Sequence, residues 1–172
     1  MMAGQVDFTP GAMRNGTRRD WHACYTKPVS MGTRCHQAAC YVVQDSPFTM
    51  LADSPTNYET DTTYTGFIAS LPTVFDTTQV VQGRIGQYIV TAREKDGNWY
   101  VGGQTNWDSR ELTLTFPFLQ DGATYKALIL QDGINANHDA EDYRLSKARI
   151  HKGSSLKIAL AEGGGFVIKL IK

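Results

Sequence analysis

No run of apolar residues in the 172-residue chain approaches the roughly 20 that a membrane-crossing helix needs. Charge of one sign is equally scarce: 17 Lys and Arg stand against 17 Asp and Glu, and neither sign forms a long block. That balance excludes the basic footprint expected of a nucleic-acid or anionic-membrane partner. Cysteine is sparse, with Cys24, Cys35 and Cys40 the only three. An odd number cannot complete a disulfide framework, so the redox compartment stays open. The opening MMAGQVDFTPGAM has neither the basic start nor the long apolar core of a secretory leader. Low-complexity tracts and fixed-period repeats are absent too, which leaves a folded globular chain.

What is present divides near Leu71-Pro72 into two regions with different periods. From Thr33 to Gln44 the apolar residues Cys35, Ala38, Ala39, Tyr41, Val42 and Val43 alternate with Arg34, Gln37 and Gln44 at helical spacing. Gly32-Thr33 supplies a start and Pro47 a stop. Phe48–Ala52 reads as a short buried strand, Gln5–Phe8 as a weaker one, and a second helix is expected between Asn57 and Ser70. The order strand, loop, helix, strand, helix is that of βα units with parallel strands.

Beyond Pro72 the period falls to two. Strands are expected at 87–93, 99–104, 111–116, 125–130, 148–151, 156–160 and 166–171, separated by Asp96-Gly97, Asp121-Gly122, Lys152-Gly153 and Gly163-Gly164-Gly165. Short strands with hairpin turns at such spacing indicate an antiparallel sandwich or barrel. Two βα units cannot close a sheet of their own. The first region therefore reads as the tail of a larger barrel, with Met1 an internal residue.

The segments VDFTPGAM, GTRCHQAACYVVQDSPFTMLADSP, LPTVFDTTQVVQGRIGQYIVTAREKDGNWYVGGQTNW, LILQDGINANHDAEDYR and AEGGGFVIKLI together resemble the C-terminal part of glycoside hydrolase family 97. The resemblance implies an α+β chain: residues 1–70 as a partial (β/α)8 barrel of about two βα units, and residues 71–172 as an antiparallel all-β sandwich that packs on it and mediates oligomerisation. It implies a parent that hydrolyses α-linked glucosides or galactosides, with a calcium ion near its site and a bacterial periplasmic or secreted location. The catalytic carboxylates of that chemistry belong to earlier barrel strands, so no catalytic residue and no metal ligand is assigned here. The chain alone is expected to be inactive, and the exposed faces of its two βα units are expected to favour a homodimer or partial disorder. The alternative is a carbohydrate-binding or interaction module built on the β domain.

Barrel sites lie at the C-terminal ends of strands, which makes Asp7 and Asp53 the two candidate rim residues for sugar contact, loop capping being the plainer role for both. Cys35 and Cys40 sit about 140° apart on a helix, and His36 shares a face with Cys40. A zinc site would still lack two ligands, and adjacent Cys35 and His36 cannot pair as nucleophile and base, so buried small hydrophobes are expected. The run Asp132–Asp142 looks calcium-like, but as an EF-hand loop it has Ala140 at the turn glycine and Ser146 at the bidentate glutamate. Trp99, Tyr100 and Trp107 could stack on sugar. Alternation sets Trp99 and Tyr100 on opposite faces, so at most one faces outward and core packing is the simpler role.

Overall fold

The computed structural model describes residues 4–172. Two short parallel strands come first, β1 (Asn15–Gly16) and β2 (Ser30–Met31), then helices α1 (Arg34–Val43), α2 (Pro55–Glu59) and α3 (Thr62–Ala69). Eight strands follow: β3 (Thr77–Arg84), β4 (Tyr88–Lys95), β5 (Asn98–Thr105), β6 (Arg110–Thr115), β7 (Thr124–Asp132), β8 (Tyr143–His151), β9 (Ser155–Leu160) and β10 (Gly165–Ile171).

Each helix begins where the sequence supplies an acceptor for its orphan amides. Thr33 caps α1 by accepting from His36 N, Ser54 caps α2 with Pro55 in its first turn, and Asp61 caps α3 by accepting from Tyr64 N. The one helix expected between Asn57 and Ser70 is thus two, because Asp61 starts a new helix one residue after the C-cap Thr60.

Strands β3, β4, β5, β10, β7 and β8 form one antiparallel sheet in that order, and β6 and β9 pair separately. Asp96 and Gly97, at φ of 50° and 77°, make the tight β4–β5 turn that an Asp-Gly pair favours. Strand β3 was not expected from the sequence. Its eight residues bury no side chain fully, so the one-sided alternation by which a strand is recognised is missing.

Alternation sends side chains of the large sheet to both faces. On one face Val90, Trp99, Val101, Ile129, Phe166 and Ile168 meet Leu112, Leu114, Ile158 and Leu160 of the β6–β9 ribbon. On the other, Tyr100, Leu130 and Val167 meet Cys35, Ala38, Ala39 and Val42 of α1, with Tyr64, Phe67 and Ile68 of α3 alongside. The molecule is therefore three layers deep: helices, six-stranded sheet, ribbon. Helix α1 approaches the sheet closely because Gly102 and Gly165 carry no side chain. A Cβ there would sit 2.7 Å from Val42 Cβ and 2.7 Å from His36 Cα, respectively.

The segments expected as barrel strands, Gln5–Phe8 and Phe48–Ala52, meet at a single parallel bridge, Phe8 to Thr49, with Met50 N donating to Phe8 O at 3.2 Å and Val6 N to Asp45 O at 3.1 Å. No barrel is assembled from them, and Val6, Phe48, Met50 and Leu51 remain exposed. A βα strand normally has neighbours on both sides and cover on both faces, which two isolated segments cannot provide.

Candidate functional site

The residues singled out in GTRCHQAAC diverge. Cys35 is wholly buried, its thiol pushed well above the ordinary value first by burial and then by the nearby Asp132 carboxylate. His36 points its Nδ1 at Gly164 O, 3.2 Å away, and burial holds its pKa below the usual value. Cys40 Sγ accepts from Gln104 Nε2, and burial raises its thiol to about 11. Neither cysteine is a thiolate nucleophile at neutral pH, and the three residues share no common centre. Among the described residues, no group of three or more His, Cys, Asp and Glu converges to hold a metal.

The structure brings together a different set, at the junction of helices, N-terminal loop and sheet. Asp132, at the end of β7, reaches under the start of α1. Its Oδ1 accepts from the Thr33 hydroxyl at 2.7 Å, and its Oδ2 from Ala161 N at 2.9 Å and Gly165 N at 3.0 Å. Desolvation raises its pKa to about 6 against the opposing effect of these hydrogen bonds. The same Thr33 oxygen caps α1, so one carboxylate fixes the helix start, the β9–β10 turn and the end of β7 together. Asp142, the other end of that calcium-like run, accepts from Asn135 N at 2.7 Å. These acids act as loop braces.

Beside it lies a buried cation. Arg34 bonds Asp61 at 3.1 Å and Glu141 at 2.9 Å, and its guanidinium stands 5.3 Å over the Tyr64 ring. Tyr143 Oη donates to the same Asp61, at 3.0 Å. Arg93 makes a second link, at 2.7 Å to Asp45 just beyond α1 and over the Phe75 ring. Sequence reasoning sets Arg34 on the polar side of a helix and Asp132 in a calcium-like run, and assigns neither them nor Arg93 to this junction. The one available signal was charge on otherwise apolar faces, which alone does not name a partner.

Asp53 Oδ2 accepts from Met13 N at 2.7 Å, while Oδ1 accepts from Ser54 N at 2.7 Å and Asn57 Nδ2 at 2.6 Å. Partial desolvation works against its charge, but the bonds from Asn57, Met13 and Ser54 hold its pKa below the ordinary value. Asp7 is exposed, next to the Phe8–Thr49 bridge. The two acids are not gathered with any other carboxylate into a cleft.

Nor is there an aromatic platform from Trp99 and Tyr100. Both are buried: Trp99 packs 4.6 Å from Phe118, and Tyr100 packs 5.7 Å from Phe75 on the opposite face. Trp107 lies under the Arg18 guanidinium at 5.8 Å, with the backbone of Gly163 so close that a Cβ there would meet its ring at 2.5 Å.

Comparison with known proteins accords with a domain built for packing. Residues 74–171 match the family model "Glycosyl-hydrolase 97 C-terminal, oligomerisation". The chain is 46% identical over 169 residues to a retaining alpha-galactosidase of Bacteroides thetaiotaomicron, covering 98% of this chain and 25% of that protein. It is 26% identical over 164 residues to a probable retaining alpha-galactosidase of Streptomyces bingchenggensis, covering 95% and 23%. Among solved structures it resembles a glycoside hydrolase family 97 enzyme of Pseudoalteromonas sp. strain K8 in complex with panose, at TM-score 0.78 and 32% identity, over 81% of this chain and 22% of that one. The chain thus spans about a quarter of the length of the curated relatives it matches. It belongs to glycoside hydrolase family 97, carrying that family's C-terminal, oligomerisation domain.

Proposed function

We propose that the chain serves as the non-catalytic C-terminal portion of a longer α-galactosidase, bracing the catalytic barrel and joining copies of the enzyme. The observation that carries this reading is the 46% identity spread over 98% of the chain but only 25% of the Bacteroides α-galactosidase. α-Galactosides are favoured over α-glucosides as the parent's substrates because the Bacteroides and Streptomyces relatives bear that name.

In this reading residues 1–70 are the last two βα units of a (β/α)8 barrel, and residues 71–172 the appended β domain. Support comes from the parallel sense of the Phe8–Thr49 bridge, with α1 lying between the two segments in the chain, and from the exposed apolar residues Val6, Phe48, Met50 and Leu51, which a neighbouring barrel strand would cover. Asp7 and Asp53 then fall at the rim. Asp53, with both oxygens engaged, holds the loop, and Asp7 is the better placed to touch sugar. The parent's calcium would take its ligands from elsewhere in the parent.

A purified chain should leave p-nitrophenyl α-D-galactoside intact. Hydrolysis above a buffer blank, abolished by substituting Asp7 or Asp53, would overturn the reading.

A further inference from the structure

Three loops meet beside the start of α1: the N-terminal turn Thr17–Asp20, the β7–β8 loop and the β9–β10 turn. Hydrogen bonds fix them in place. Trp21 N donates to Thr17 O at 2.9 Å, Gly163 N to Asn106 O at 2.8 Å, and Glu162 N to Asn137 Oδ1 at 2.8 Å. Between the loops lies a polar hollow of about 250 Å³, lined by Thr17, Arg18, Arg19, Asn137, His138 and Glu162.

The charged side chains of this hollow are uncommitted. Among the described residues, those of Arg18, Arg19, His138 and Glu162 join no hydrogen bond or ion pair, although two guanidinium groups and a carboxylate share the same space. Single exposed charges are satisfied by water; what sets these apart is that they converge. Arg18 is also positioned, its guanidinium 5.8 Å over the Trp107 ring. A side chain at Gly163 would collide with that ring, so the turn carrying Glu162 and the ring under Arg18 are fitted to each other.

A guanidinium offers only donors, in a fork that matches a carboxylate, whereas a carboxylate offers only acceptors and needs a hydroxyl or ammonium opposite it. The Asn137 oxygen is engaged by Glu162 N, which leaves its amide nitrogen as a further donor. Two arginines against one acid leave an excess of positive charge, favouring a ligand with a net negative one. The hollow is smaller than the roughly 300–1,000 Å³ of sites for drug-sized molecules, which limits the occupant to about one ring. A uronic acid meets each condition, with one carboxylate, several hydroxyls and a single ring.

We infer that the hollow binds an acidic saccharide unit, its carboxylate against Arg18 and Arg19 and its ring hydroxyls against Glu162, Asn137 and His138. This deepens the proposed function, and the choice of a saccharide rests on the glycosidase parent of that reading. The site gives the non-catalytic portion a ligand of its own, an acidic unit of the polysaccharide held away from the bond that is cut.

The test is amide chemical-shift titration of the whole chain with D-galacturonate, with D-galactose, sulfate and glycine in parallel. Galacturonate should shift the amides of Thr17–Arg19, Asn137–His138 and Glu162 saturably, and more tightly than the other three. Arg19→Ala should weaken it by roughly tenfold or more, and Glu162→Ala by roughly fivefold. Both positions are exposed, and thermal unfolding matching the unsubstituted chain verifies the fold. Galactose binding as tightly as galacturonate, with Arg19→Ala indifferent, overturns the carboxylate's place. Sulfate or glycine binding as tightly overturns the saccharide. No saturable shift with any of the four overturns the site altogether. None of these results touches the hydrolysis assay, so the proposed function stands or falls separately.

Discussion

Replacing Asp132 by Asn separates charge from hydrogen bonding at the junction of helix and sheet. The amide oxygen can still accept from Ala161 N and Gly165 N, and its nitrogen can donate to Thr33 Oγ1, so the geometry of Oδ1 and Oδ2 is preserved. What disappears is a carboxylate whose desolvation raises its pKa from 3.8 to about 6 in the folded chain. A raised acid pKa means that the folded state holds the proton more tightly than the unfolded one. The associated stability is fully present below the unfolded value, is lost as pH rises through the folded one, and so varies between about pH 4 and pH 6. A shift of about two pKa units corresponds to about 3 kcal/mol. Urea unfolding of both proteins from pH 4 to pH 7 measures the difference directly. The Asp132 protein should lose up to ~3 kcal/mol relative to Asp132→Asn as pH rises across that interval. A difference that stays flat with pH, or one that favours the carboxylate at pH 7, would refute the claim that burial dominates its energetics.

Arg34→Met should destabilise by about 2–4 kcal/mol, because it leaves Asp61 and Glu141 without their cation in a partly screened setting; guanidinium titration reads the loss. Gly102→Ala should cost about 1–3 kcal/mol, since the new methyl meets Val42 at 2.7 Å, and a Tm equal to that of the unsubstituted chain would contradict the close helix–sheet approach. Gly66→Ala, in the exposed interior of α3 with nothing within 4 Å, should instead stabilise by about 0.5–1 kcal/mol. Asp53→Ala should cost about 1–2 kcal/mol through the amide of Met13, whereas Asp7→Ala, at an exposed position, should leave unfolding unchanged.

Much of the fold could be read from local signals. Thr33 and Gln44 bracket α1 as expected, Asp96-Gly97 turns the β4–β5 hairpin, and Trp99 and Tyr100 fall on opposite faces. Periodicity failed where burial is not one-sided. Strand β3 shows no alternation because neither of its faces is fully covered, and β7 and β8 run longer than their apolar cores, to Asp132 and from Tyr143. The junction was illegible for another reason. Thr33 and Asp132 are 99 residues apart, and the paired residues of β5 and β10 lie 61 to 71 apart, distances at which no local signal names a partner. A carboxylate inside a calcium-like run announces its charge in sequence; that it braces a helix cap emerges only once β7 is seen to end beneath α1.

The central claim is that this chain exists to pack and assemble. Sedimentation equilibrium of the unsubstituted chain tests it most directly. Mass rising with concentration from monomer to dimer is the predicted result, and a single monomeric mass across the micromolar range would contradict it.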